Sequence, residues 1–335
     1  MSKQNKYLKD MTAGTPWKLL FQFAVPLFVG NIFQQFYNMV DSIIVGNFVS
    51  ANALGAIGTT NSLTFLFFSL VGGLSVGIGI IVAQFFGSGN DEKVKNTIGN
   101  AIWIVLISSV IMAIIGFFVA RPVLVLLRTD KVILDDAVSY LKVTSVGIMC
   151  TGLYNGVSSI LRALGDSKTP LFFLIFASIV NVILDFVFVL GFGWGVVGAG
   201  VATAFSQFLS AITCIIYAYK SNTYFKLKRE NFSINKNIVK KSLRLGVPVA
   251  LQNSLIAFSL IVLQAIVNGY GATFTTAFTV VSRIETLVQQ PFMSLGAAVS
   301  TYTGQNLGAG KTDRVVKGFI EWCRRCNVLA VYRYC

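Results

Sequence analysis

The chain has 335 residues, of which 12% are charged and 55% hydrophobic, with a mean hydropathy of +0.72. Soluble chains carry roughly twice that charged fraction, and no chain of this length hides so much apolar surface from water. The absence of histidine excludes imidazole acid–base catalysis, His–zinc sites and His-ligated haem. The net charge of +14 comes from basic residues lying between apolar runs, which points to orientation in a membrane rather than to nucleic acid.

Runs such as Leu19–Val40, Ser42–Asn90, Asn96–Ala120, Phe186–Tyr219 and Leu245–Ser282 contain no Asp, Glu, Lys or Arg. A helix crossing a hydrocarbon core of about 30 Å needs about 20 mainly apolar residues, so several spans are expected. Lys3, Lys6 and Lys9 precede a first helix over 17–45, too long for a signal-peptide core and without a small-residue cleavage site. Along it Asn31, Gln34, Gln35, Asn38 and Asp41 follow three- and four-residue steps and share one face. A second helix over 53–83 carries Gly72, Gly73, Gly77 and Gly79, small residues that permit close helix contact. Helices over 97–119 and 133–161 follow. The fifth, over 169–190, sets Asn181 and Asp185 one turn apart, and the sixth, over 196–219, does the same with Thr203 and Gln207. A basic linker over 220–242 leads to helices over 243–268 and 278–304, the latter containing Glu285 two residues after Arg283.

Nineteen basic residues fall on the N-terminal side of these spans, in the tail, around Lys93 and Arg162, through Lys220–Arg244 and at Lys311–Lys317. Only three fall on the other side, so the positive-inside rule places the N-terminus in the cytoplasm. The chain also repeats itself. Val25-Pro26 returns as Val247-Pro248 at an offset of 222, followed by Gln252-Asn253, and Gln84–Gly89 is echoed by Gln305–Gly310 at 221. Six spans per copy means a parallel repeat, with both copies entering the membrane in the same sense. The fold expected is an all-α polytopic membrane protein. It has a complete six-helix N-terminal lobe over 1–219, the linker, and a truncated second lobe of two helices over 243–318. No span follows Lys317 where the repeat demands one, so residues 319–335 are expected to be an aberrant, frame-shifted tail. Cys323 and Cys326 in it are too isolated for a metal site.

Ionisable residues inside spans cost about 2.5–3.5 kcal/mol at the helix centre and mark function. Asp41 and Asp185 are the candidates, with Asn181 and Thr203. Carboxylate, amide and hydroxyl oxygens suit Na⁺, and a carboxyl held away from water suits H⁺. Gln34, Asn38, Gln207, Gln252 and Glu285 are candidates for lining the cavity. A basic cavity would signal a lipid-linked precursor flippase, but the spans offer only Lys142 and Arg283. A membrane-embedded enzyme using paired Asp, or a non-transporting fragment, are the other readings.

Asn38–Gly46, Ser159–Asp166, Asn181–Asp185, Gly198–Ala204 and the Gln84 and Gln305 segments together resemble the multidrug and toxic compound extrusion (MATE) family. The resemblance implies two six-helix lobes around a central cavity and export of organic, often cationic, drugs in exchange for Na⁺ or H⁺. No organic cofactor is implied, the partners are drug-like molecules and membrane lipid, and the location is the plasma membrane. It implies a cation site at Asp41, Asn181, Asp185 and Thr203, to which Tyr140 and Asn155 are added.

Overall fold

A computed structural model of the chain describes residues 8–127, 129–268, 270 and 272–325. Among the described residues it is all-helical, with nine α-helices. The first six are α1 (Pro16–Phe48), α2 (Ala51–Gly87), α3 (Asp91–Leu126), α4 (Lys131–Ala163), α5 (Lys168–Asp185) and α6 (Gly195–Ser221). They are followed by α7 (Lys236–Asn268), α8 (Ala272–Gly308) and α9 (Thr312–Arg325). Among the described residues, six segments are long and apolar enough to cross a bilayer: most or all of α1, α2, α3, α6 and α7, and α5 with the turn after it. Helix α4 falls short in apolarity, not length, because it is enclosed by α2, α3 and α6 and carries Thr144, Ser145 and Ser158 buried. Their neighbours do not have to be lipid. Thr144 Oγ1 donates to Tyr140 O (2.9 Å) and Ser145 Oγ to Leu141 O (2.6 Å), which spends the hydroxyl protons within the helix.

The helices outrun the apolar windows because polar turns extend them beyond the hydrocarbon. In α3 the side chain of Asn90 accepts from Lys93 N (3.0 Å), and Asp91 and Glu92 occupy the first turn, where the helix dipole favours acids. Its 36 residues reach about 54 Å, well over one hydrocarbon thickness. One expected helix is interrupted: α5 stops at Asp185 and a π turn, Phe186–Gly191, continues it. The linker also differs from a loose loop. It folds into two 3₁₀ turns, Thr223–Phe225 and Arg229–Phe232, and α7 starts at Lys236 rather than 243.

Helix α2 is the keel. One side packs on α3 and α4, the other on α7 and α8. Gly73 and Gly77 allow the approach to α7: a Cβ on either would lie 2.4 Å from the backbone nitrogen of Ala250 or Gly246. Between α1 and α8, Asn31 Nδ2 donates to Ser294 Oγ (3.1 Å). The segment before α1 is a strap across the basic end. Met11 is fully buried, its N–H donates to Gln305 Oε1 (2.8 Å), and Gln305 Nε2 donates to Ala163 O (2.9 Å). Asn306 Nδ2 donates to Met11 O (3.1 Å). Large apolar side chains such as Phe118 (73% exposed) and Phe172 (67%) cover the outside, as lipid-facing positions should.

The boundary expected at 318–319 is not a break in structure. Helix α9 runs through it to Arg325, tied back by Tyr302 Oη donating to Arg314 O (2.9 Å). Residues 326–335, with Cys326, lie outside the described residues.

Candidate cation and substrate site

A cavity of about 510 Å³ lies within the first six helices, walled by α1, α2, α4, α5 and α6. The polar stripe of α1 faces it because i and i+4 positions share a helix face: Gln34, Asn38 and Asp41 all line the wall. Tyr140 and Asn155 reach it from α4, and Thr203 and Gln207 from α6.

Asn181 and Asp185 stand one layer behind, 1% and 0% exposed. Asn181 Nδ2 points to Thr203 Oγ1 at 3.4 Å, so α5 and α6 are joined at this level. The carboxyl of Asp185 lies near that of Asp41 on α1, close enough for the charge of each to be felt by the other. The pair therefore runs from the cavity wall at Asp41 to the protein interior at Asp185.

The hydrogen-bond inventory defines what the site can hold. Asp41 Oδ1, both carboxyl oxygens of Asp185, Asn181 Oδ1 and Gln207 Oε1 are buried, and no described protein group donates to any of them. Asn181 is one turn before Asp185, whereas Gln207, one turn after Thr203, lies on the side of that level away from Asp185, because α5 and α6 run antiparallel. A buried acceptor left unpaired costs about 1–3 kcal/mol, and more when charged. Oxygen-only donors of this kind fit a hard cation or a proton and give nothing to a soft metal.

Two expected lining residues lie elsewhere. Gln252 is exposed on α7, and Glu285 is exposed on α8, where Gln289 Nε2 donates to its Oε1 (2.9 Å). Neither contributes to the cavity wall, because their helices pack outside the α1–α6 ring. Lys142 turns outward, its Nζ 5.1 Å from the ring of Phe117. The side chain of Arg283 is outside the described residues.

Three residues that sequence reasoning passed over belong to the site. Tyr37, one turn before Asp41, lies beside both carboxyls and the side chain of Gln34. Its spacing from Asp41 was the available signal. Arg162 and Tyr154 also line the wall, and Tyr154 Oη donates to Pro170 O (2.8 Å). Arg162 counts among the basic residues that flank the spans, yet it sits in the last turn of α4 with its side chain in the cavity wall.

A MatE family model matches residues 26–187 and 248–320, two blocks that begin at the two repeated prolines. The chain belongs to the MatE family. Among its relatives, the probable multidrug resistance protein YpnP of Bacillus subtilis is 31% identical over 307 residues, covering 91% of this chain and 68% of the relative. The probable multidrug resistance protein YoeA of the same organism is 30% identical over 306 residues, covering 89% and 66%. The chain thus spans about two thirds of the length of these MatE relatives. Its fold matches that of a multidrug resistance MATE transporter solved in an outward-facing conformation, with a TM-score of 0.90 at 24% identity, over 99% of this chain and 74% of that one. MatE proteins are membrane transporters for small organic molecules, so the chain is a multi-pass membrane protein and the enzyme reading is set aside.

Proposed function

We propose that this MatE protein serves cation-coupled export of organic, chiefly cationic, compounds, with Na⁺ or H⁺ held by Asp41 and Asp185 and assisted by Asn181 and Thr203. The observation that carries this reading is the closeness of the two carboxyls, with Asp41 Oδ1, both Asp185 oxygens and Asn181 Oδ1 buried and lacking donors. Two ionised carboxylates 4 Å apart repel by about 4 kcal/mol at an effective dielectric of 20. A cation arriving from the cavity removes that repulsion. An organic cation drawn to Asp41 and a small cation shared by both acids compete for the same charge, which gives the negative linkage that exchange requires.

Alternating access supplies the rest. The halves meet tightly at the basic end, through α2 on α7 and α8 and through the strap at Met11, which supports an outward-open arrangement if that end faces the cytoplasm of a plasma membrane. Cation entry from outside then releases the substrate outward, and cation discharge inward resets the site. The test is efflux of an organic cation from vesicles under imposed Na⁺ or pH gradients. Asp41→Asn and Asp185→Asn should each abolish gradient-driven efflux while leaving membrane insertion intact. Undiminished coupled efflux in both variants would refute the reading.

A second reading rests on Arg162. A cation in the cavity wall is what an anionic substrate, such as a lipid-linked precursor, would need. Under that reading Arg162→Gln would abolish movement of an anionic substrate and leave organic cations untouched.

A further inference from the structure

On the opposite face of α4 from the central cavity, a second hollow of about 290 Å³ indents the bundle between α3, α4 and α6. Its walls are aliphatic: Ile98, Ile102 and Val105 from α3, Leu153 and Val157 from α4, and Ile215 from α6. It lies at the basic end, since Ile98 is one turn past Lys95, and Tyr219 at its rim immediately precedes Lys220. From Ile98 to Val105 it descends about 10 Å at the helical rise, within the depth of one leaflet of a core about 30 Å thick.

The segment joining α6 to α7 roofs this hollow. Phe225, Leu227 and Phe232 point into it, while Lys226, Lys228 and Arg229 are exposed. Apolar-in and basic-out alternate along the strand of chain, and Glu230 is its one acid. The roof is fixed rather than draped. Asn231 Nδ2 donates to Asn96 Oδ1 (2.7 Å), Trp103 Nε1 to Phe232 O (3.0 Å) and Tyr224 Oη to Asp91 Oδ1 (2.7 Å). Gly99 makes the approach possible, since a Cβ there would lie 2.0 Å from Asn231 O. Trp103 and Tyr219, both exposed, flank the hollow with the ring types that settle at membrane–water interfaces.

We propose that this hollow binds an anionic phospholipid of the surrounding leaflet, with one acyl chain between α3, α4 and α6 and the phosphate on Lys226, Lys228 and Arg229. Orientation alone asks for basic residues somewhere on this side. It does not ask for them to be held at fixed positions over an apolar hollow at acyl-chain depth. A basic residue near a membrane surface favours an anionic lipid by about fivefold.

The test uses the full chain with Trp103 as its sole tryptophan (Trp17, Trp194 and Trp322 replaced by Phe), reconstituted in vesicles. Phosphatidylglycerol or phosphatidylcholine with brominated acyl chains is titrated in, and quenching of Trp103 is read. Phosphatidylglycerol should quench at a concentration at least about fivefold lower than phosphatidylcholine. The surface variant K226Q/K228Q/R229Q should lose that preference with an unchanged helical circular-dichroism spectrum. Ile102→Phe, which fills the hollow, should weaken quenching by both lipids. Equal quenching by the two lipids, a preference that survives the triple variant, or undiminished quenching in Ile102→Phe would overturn the proposal.

Discussion

Gly87 rests on the backbone of Gln305: a Cβ at Gly87 would stand 1.9 Å from the Gln305 carbonyl oxygen. The contact has a twin. A Cβ at Gly308 would stand 1.9 Å from the carbonyl oxygen of Gln84, and the offset of 221 residues separates the two glycines and likewise the two glutamines. Such reciprocity is the mark of a two-fold relation, here between the two copies of an internal repeat. It makes the packing of α2 on α7 the counterpart of the packing of α8 on α1.

Alanine at Gly87 or Gly308 should therefore destabilise the fold, and by similar amounts. Backbone, not a movable side chain, occupies the place of the new methyl, so α2 and α8 must separate. Overpacking of this kind costs about 1–3 kcal/mol. Thermal unfolding in detergent should show lowered transitions for G87A and G308A and none for G72A, whose Cβ would meet open space.

Gln305 joins three parts of the chain by accepting from Met11 N and donating to Ala163 O. Gln305→Ala leaves both backbone groups buried and unpaired, at about 1–3 kcal/mol each. Gln305→Glu keeps the acceptor for Met11 and loses the donor for Ala163. Trypsin cleavage after Lys9 should accelerate in both variants.

Asp166, in the turn between α4 and α5, accepts from Lys168 N (3.1 Å), Thr169 N (2.9 Å) and Thr169 Oγ1 (2.6 Å). Burial nonetheless outweighs these bonds and pushes its carboxyl above the usual carboxylate value. A folded-state value above the unfolded one means that the fold binds the proton more tightly. This group's contribution is then fully present below the unfolded value and is lost as pH rises through the folded one. Relative to Asp166→Asn, the wild type should gain stability as pH falls from 7 toward 4, read as the difference between their melting temperatures.

The α1 stripe was legible because three- and four-residue spacing maps directly onto one helix face, and Gln34, Asn38 and Asp41 all reach the cavity. The π turn after Asp185 was not, since its six residues continue an unbroken apolar run and periodicity cannot tell π from α over one turn. Arg162 was hidden by its position: at a span end a basic residue reads as an orientation signal, and only packing shows that its side chain turns inward. Gln252 and Glu285 misled because polarity within a span does not say which face meets a cavity. The linker's turns depend on Asn96, Asn100 and Trp103, more than 120 residues away in the chain, a pairing that no local pattern announces.

The pairing of Asp41 with Asp185 as a cation site is tested most directly by binding, without any need for a full transport cycle. Ethidium, an organic cation, is titrated into the purified protein, and its dissociation constant is followed as Na⁺ is added or pH lowered. At least one of the two cations should weaken ethidium binding by about fivefold or more, the lower end of ordinary coupling between sites. In Asp185→Asn that dependence should vanish, even though Asp185 does not itself line the cavity. Retention of the full Na⁺ or pH dependence by Asp185→Asn, with ethidium still bound, would contradict the assignment.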